Sequence, residues 1–175
     1  ADVGILWPWL ENKNIKMLSR FYLTHVTPDD ISNITTNINY ALKRGADGAQ
    51  VFVSLNNLSE FISQIYCIRD DLFFNKSVYI GLDIGDIGPF HWSGVYANAQ
   101  KLRANGIVLA LTSDTGDDSD FVGRIYAALN AWRPELNLNL HFILGASPMR
   151  IEQVTRLIKS IRPELMPGVR FFVNI

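Results

Sequence analysis

The stretch Gly81-Leu82-Asp83-Ile84-Gly85-Asp86-Ile87-Gly88-Pro89-Phe90-His91-Trp92 gathers two carboxylates, an imidazole and two large aromatics just past an apolar run. A carboxylate at the end of a buried strand, partly removed from water, binds its proton more tightly and can act as a general base. Asp83 is the residue placed for that role. His25, Asp86, His91 and Asp114 are candidate partners, since each follows an apolar run in the same way. Asp83 and Asp114 together could hold a divalent metal through hard oxygen ligands, although the spacing matches no metal-binding signature. Phe90 and Trp92 offer faces on which a sugar ring could stack. A structural explanation stands beside each: Asp83 and Asp86 as caps of loop amides, and the acidic run 113–120 as a complement to a helix amino terminus.

A second constellation comes late in the chain. Gly145-Ala146-Ser147-Pro148, with Arg150 one turn on, has the make-up of an anion cradle. Small residues admit the backbone, a helix amino terminus supplies N–H donors, and the guanidinium adds charge. A tight turn at Gly145 and a helix cap at Ser147 account for the same residues. Asn174 closes the set of substrate-facing candidates at the end of the last apolar run.

Several chemistries are set aside. No lysine falls at the end of an apolar run, which disfavours a Schiff-base aldolase. Neither a Gly-x-Gly-x-x-Gly nor a Walker-type loop follows the first strand, so no nucleotide cofactor is expected. A Gly-x-Ser-x-Gly elbow is missing too. The net charge of −1, with basic residues spread along the chain, gives no basis for binding nucleic acid. The apolar residues 3–10 are too few to span a bilayer, so no membrane is expected. Cys67, the lone cysteine, reads as a small buried residue on a helix and leans toward a cytoplasmic protein.

These candidates are positioned by a β–α unit that recurs roughly every 29–30 residues. Its clearest copies are Trp132-Arg133-Pro134-Glu135-Leu136 and Ile161-Arg162-Pro163-Glu164-Leu165, each leading into an apolar run. Lys43-Arg44-Gly45 and Leu102-Arg103-Ala104-Asn105-Gly106 are looser copies. Six parallel strands are expected, over residues 20–26, 49–54, 78–83, 107–112, 140–144 and 169–174. They read as near-continuous apolar runs covered on both sides. Helices lie between them, with stripes such as Ile31, Ile34, Ile38 and Ala41; Phe61, Ile62, Ile65 and Ile68; and Ile151, Val154, Leu157, Ile158 and Ile161. Thr27-Pro28-Asp29-Asp30 marks a helix start.

The 175 residues suit one α/β domain, with the aromatic segment 1–19 packing on the sheet. Equal spacing favours a six-unit, incomplete barrel, and an open doubly wound α/β/α sheet is the alternative. The run Leu42-Lys43-Arg44-Gly45-Ala46-Asp47-Gly48-Ala49-Gln50-Val51-Phe52-Val53 resembles the helix, Gly-Ala-Asp-Gly, strand junction of TIM-barrel isomerases, aldolases and some glycoside hydrolases. That resemblance implies fold and no particular reaction. The expected function is a small-molecule enzyme using acid–base or metal-assisted chemistry on a polyol, sugar or sugar phosphate, with a glycoside hydrolase as a variant. The alternative is a non-catalytic binding or assembly protein on a shortened barrel, in which a second copy covers the exposed sheet edges.

Overall fold

The repeat in the sequence is a repeat of backbone geometry in the computed structural model, which describes residues 16–111, 118–144 and 148–172. A left-handed residue stands two or three positions ahead of four strands: Gly45 (φ 104°), Asn75 (φ 55°), Arg103 (φ 54°) and Asn137 (φ 52°). It ends the preceding helical segment and turns the chain into β2 (Gly48–Val53), β3 (Ser77–Asp83), β4 (Gly106–Ala110) and β5 (Asn139–Ile143). At β2 and β4 the turn also carries a side-chain clip: the Asp47 carboxylate accepts from Met17 N at 2.8 Å, and Asn105 Oδ1 from Val78 N at 2.8 Å. With β1 (Leu18–Leu23) and β6 (Arg170–Phe172), these strands make one sheet in the order β1-β2-β3-β4-β5-β6, every pair parallel.

The helices are α1 (Pro28–Lys43), α2 (Leu58–Tyr66), α3 (Arg69–Leu72), α4 (Trp92–Lys101), α5 (Asp118–Ala131) and α6 (Pro148–Ile161). The helix start marked by Thr27-Pro28-Asp29-Asp30 is where α1 begins, and Thr27 and Asp30 close a capping box there. Basic residues at the unit junctions tie neighbouring helix ends together. Arg69 donates to Leu102 O and Arg103 O, and Arg162 to Leu129 O. Cations there satisfy carbonyls left without partners and complement the helix dipole. Arg103 also pairs with Asp70, and this ion pair holds the Asp70 carboxyl below the usual carboxylate range. Buried Tyr96 donates its hydroxyl to Ala128 O at 2.8 Å, linking α4 to α5.

The main core lies between the helices and one face of the sheet. Val51, Ile80, Leu82, Leu109, Leu140 and Phe142 face Ile38, Phe61, Ile62, Trp92, Ile125 and Ile158 there. Each such side chain contributes about 1.5–3 kcal/mol by leaving water. The other face carries a separate small cluster, Phe52, Val108, Ala110 and Ile143, with Tyr79 and Phe172 against it. The helices' buried residues all belong to the first cluster, and the strands run in sequence order without reversal. The chain is therefore an α/β half-barrel of six parallel strands, TIM-barrel-like in part, and not the doubly wound sheet.

Some expectations need correcting. The strands are not covered alike on both faces, because no described helix packs its buried residues on the concave one. Ile68 and Cys67 are exposed, since α2 ends at Tyr66 and the stripe breaks there. Of the aromatic segment, residues 1–15 lie outside the described residues.

Gly81 shows how tightly the concave cluster is fitted: a Cβ there would stand 2.5 Å from Cγ of Phe52, whose ring lies over it. Gly81→Ala is expected to cost about 1–3 kcal/mol through overpacking. In a double-mutant cycle read by urea denaturation, much of that cost should vanish in a Phe52→Ala background. Equal cost in both backgrounds would show that the ring is not what excludes a side chain.

Candidate functional site at the barrel mouth and concave face

Strand alternation decides which side chains reach the concave face. In β3, Val78, Ile80 and Leu82 enter the helix-side core, which leaves Ser77, Tyr79, Gly81 and Asp83 on the other face. Asp83, the last residue of β3, thus stands at the mouth, in register with Ala110 of β4, which in turn pairs with Ile143 of β5. Its Oδ1 accepts from Gly85 N at 2.8 Å at the start of the 3-10 turn Ile84–Asp86. The loop beyond is held from α5, where Arg124 donates to Gly85 O at 2.9 Å and Ile87 O at 3.2 Å while its Nε pairs with Asp120. Despite its glycines, this loop is braced.

The other candidates fall less favourably. Asp86 is exposed on the same turn. His91 is exposed, and its Nδ1 accepts from Gly88 N at 3.0 Å, so that nitrogen serves as a loop cap. His25 is exposed between β1 and α1, and its charge helps, after the Thr27 hydrogen bonds, to hold the Asp30 carboxyl below its ordinary range. Trp92 corrects an expectation: it is fully buried against Tyr96 in the helix-side core and offers no face for a sugar. Phe90 is 94% exposed. Arg150 lies over the Phe121 ring, 5.6 Å from its centroid. Asp114, Gly145, Ala146, Ser147 and Asn174 lie outside the described residues. Among those described, no three His, Cys, Asp or Glu side chains gather into a group able to hold a metal ion.

At the opposite, amino end of the strands the concave face is polar. Arg20, Gln50, Tyr79, Gly106 and Asn139 share one register row, and His141 pairs with Arg170. Lys16, Arg20, Gln50, Tyr79, His141 and Arg170 are among the residues lining a cavity of about 660 Å³. Gln50 is 2% exposed; its Oε1 accepts from Arg20 Nε at 3.2 Å, while Nε2 has no partner among the described residues. His141 is 5% exposed with Nδ1 likewise unpartnered. The Tyr79 and His141 rings stack across β4 at 4.7 Å, and Phe172 meets His141 edge-on at 5.4 Å. Burial, and next to it the charge of Arg170, pushes the His141 pKa down to about 4. Burial raises that of Tyr79.

The sequence carried a signal for this surface. Residues 77–83 and 139–142 alternate polar or small residues with large apolar ones, a period of two that near-continuous apolar runs lack.

No protein-family model matches the chain, and no curated protein matches its sequence. Solved structures do resemble it. A protein from Toxoplasma gondii assigned as a deoxyribose-phosphate aldolase superimposes with TM-score 0.70 at 15% identity, over 97% of this chain and 71% of that one. A Streptococcus agalactiae protein assigned as the copper homeostasis protein CutC gives 0.68 at 10% identity, covering 97% and 78%. Pyruvate carboxylase of Rhizobium etli gives 0.65 at 14% identity, and the chain spans only 17% of that enzyme's length. These likenesses establish a partial TIM-barrel fold, shared with aldolases and carboxyltransferases, and no family or reaction. No helix among the described residues is long and apolar enough to cross a membrane.

The buried imidazole gives a pH test. The unfolded chain binds a proton at His141 near its ordinary pKa of 6.5, the folded chain only near 4. The stability this group confers is full above about pH 6.5 and falls as the pH drops toward 4, by up to about 3 kcal/mol. In urea denaturation between pH 7 and 4, the His141→Gln variant should lose less stability than the parent. Parallel curves would mean that His141 titrates alike in both states.

Proposed function

We propose that the chain acts on a small polyol, sugar or sugar phosphate at the carboxyl ends of its strands, with Asp83 as general base. The observation that supports this is the placement of Asp83: the end of a central strand, on the concave face, with one carboxylate oxygen fixed by Gly85 N and the loop braced by Arg124. Catalytic groups of barrel enzymes stand at strand ends of this kind, where a rigid scaffold sets their geometry. A base so held would remove a proton from carbon beside a carbonyl, or from a hydroxyl, without first being ordered. The metal-assisted version adds Asp114 as a second oxygen ligand. The glycosidase version needs a second carboxylate across the mouth, and only Phe90 remains of its stacking pair.

A second reading is a non-catalytic binding or assembly domain. It is favoured by the sheet edges: among the described residues β1 pairs only with β2 and β6 only with β5, and Tyr22 on β1 is 66% exposed. A second copy could cover such edges.

The two readings separate in D2O. With a panel of ketose and aldose phosphates, proton NMR should show deuterium entering the position beside the carbonyl. The Asp83→Asn variant should slow this by about 10²–10⁴-fold while its melting temperature stays within a few degrees, because an amide oxygen can still accept from Gly85 N. Exchange that persists unchanged in the variant, or is undetectable in the parent across the panel, removes the base and leaves the binding reading.

A further inference from the structure

The interior of a closed barrel is ordinarily filled by layers of branched aliphatic side chains. Here the concave face is apolar only nearer the mouth, with Phe52, Val108, Ala110 and Ile143. Toward the amino ends of the strands aliphatics give way to Arg20, Gln50 and Tyr79 in one register row and to His141 and Arg170 beside Val108 in the next, with Lys16 nearby. Among the described residues that line the cavity there are three cations and no carboxylate. Burying polar side chains without partners costs stability, so such a layer calls for a compensating partner. Two of its members state that need directly. Gln50 and His141 are each more than nine-tenths buried, and each keeps one nitrogen without a protein partner among the described residues.

We propose that this cavity binds a small dianionic oxyanion, a phosphate ester or a dicarboxylate, at the amino ends of the strands. The site is separate from the mouth and does not depend on Asp83. The volume, about 660 Å³, is that of a small-molecule site. The Arg170 guanidinium supplies planar, paired donors suited to carboxylate or phosphate, Arg20 adds charge while its Nε is held by Gln50 Oε1, and Lys16 adds a further charge. The neutral donor of the Gln50 amide complements oxygen acceptors. His141, kept neutral, gives one donor and one acceptor nitrogen and can satisfy a hydroxyl as well as an oxyanion. The stacked Tyr79 and His141 rings form an apolar floor against which the carbon skeleton can lie. Arg170 is exposed and its Nη1 rests on two backbone carbonyls, of Pro167 and Val169, which orients the group without neutralising it.

Glucose 6-phosphate and malate serve as probes of the two oxyanion classes, with sodium chloride at matched ionic strength as the control. Each is titrated into the isotopically labelled full chain while the Gln50 side-chain amide, the His141 ring and the arginine Nε signals are followed by NMR. Saturable shifts of these groups with either dianion, absent with chloride, are expected. Whichever of the two binds more tightly identifies the class. Arg170→Gln, a surface change that leaves the fold intact, should weaken binding at least tenfold, and Arg20→Gln should do the same. Asp83→Asn should leave the affinity unchanged, so failure at the mouth and failure here are distinguishable. The proposal is overturned if the shifts follow ionic strength alone, if both arginine variants bind as tightly as the parent, or if the shifting signals lie only at the mouth.

Discussion

Right-handed crossovers between parallel strands taken in consecutive order must place every helix on the same side of the sheet. The rest of this molecule depends on that constraint. It gives one face a continuous helical cover and a single large core, and it leaves the other face to be settled by side chains alone. A closed barrel resolves the second face by wrapping it around itself. Six strands curl part of the way, so the concave face stays a surface with its own composition. Stability is concentrated on the helix side, in residues such as Ile38, Phe61, Ile80 and Phe142. The freedom to place unusual residues is concentrated on the other.

That freedom is used unevenly along the strands. At the carboxyl ends the concave face carries Asp83, with apolar Ala110, Ile143 and Phe172 at the matching positions of the next strands. At the amino ends it carries cations and buried polar groups over an aromatic floor. A small molecule meeting this face encounters negative charge at one end and positive charge at the other. The braces are equally local: Arg124 steadies the mouth loop, while Gly81 admits the Phe52 ring between the two zones.

Much of the scaffold was legible in the chain because its punctuation is chemical. Arg-Pro-Glu-Leu and Ala-Asp/Asn-Gly junctions, the Thr27 capping box and the isoleucine stripes each dictate a local geometry, and those geometries repeat. The concave face was harder to read, since whether a polar residue in a strand faces solvent, a neighbour or a cavity depends on which face the helices cover. Tyr79, His141 and Gln50 sit inside runs whose overall apolarity masks their alternation. Trp92 misled for the complementary reason. It sits among loop residues in sequence, yet it opens α4 and turns into the core. The loops carrying Asp114 and Gly145 to Ser147 fall outside the described residues.

The central claim is that the polar layer on the concave face serves a ligand and not the fold. Gln50 tests it most directly, being almost wholly buried with an amide nitrogen that no described residue satisfies. Gln50→Met keeps the length of the side chain and removes the buried donor together with the Oε1 acceptor of Arg20 Nε, a group only half-buried, so the change is neutral or stabilising when the donor contributes nothing to folding. Urea denaturation of the ligand-free chain should therefore give a midpoint equal to or above that of the parent. A loss of about 2 kcal/mol or more would show that Gln50 is part of a structural network, and the concave face would then have to be read as core.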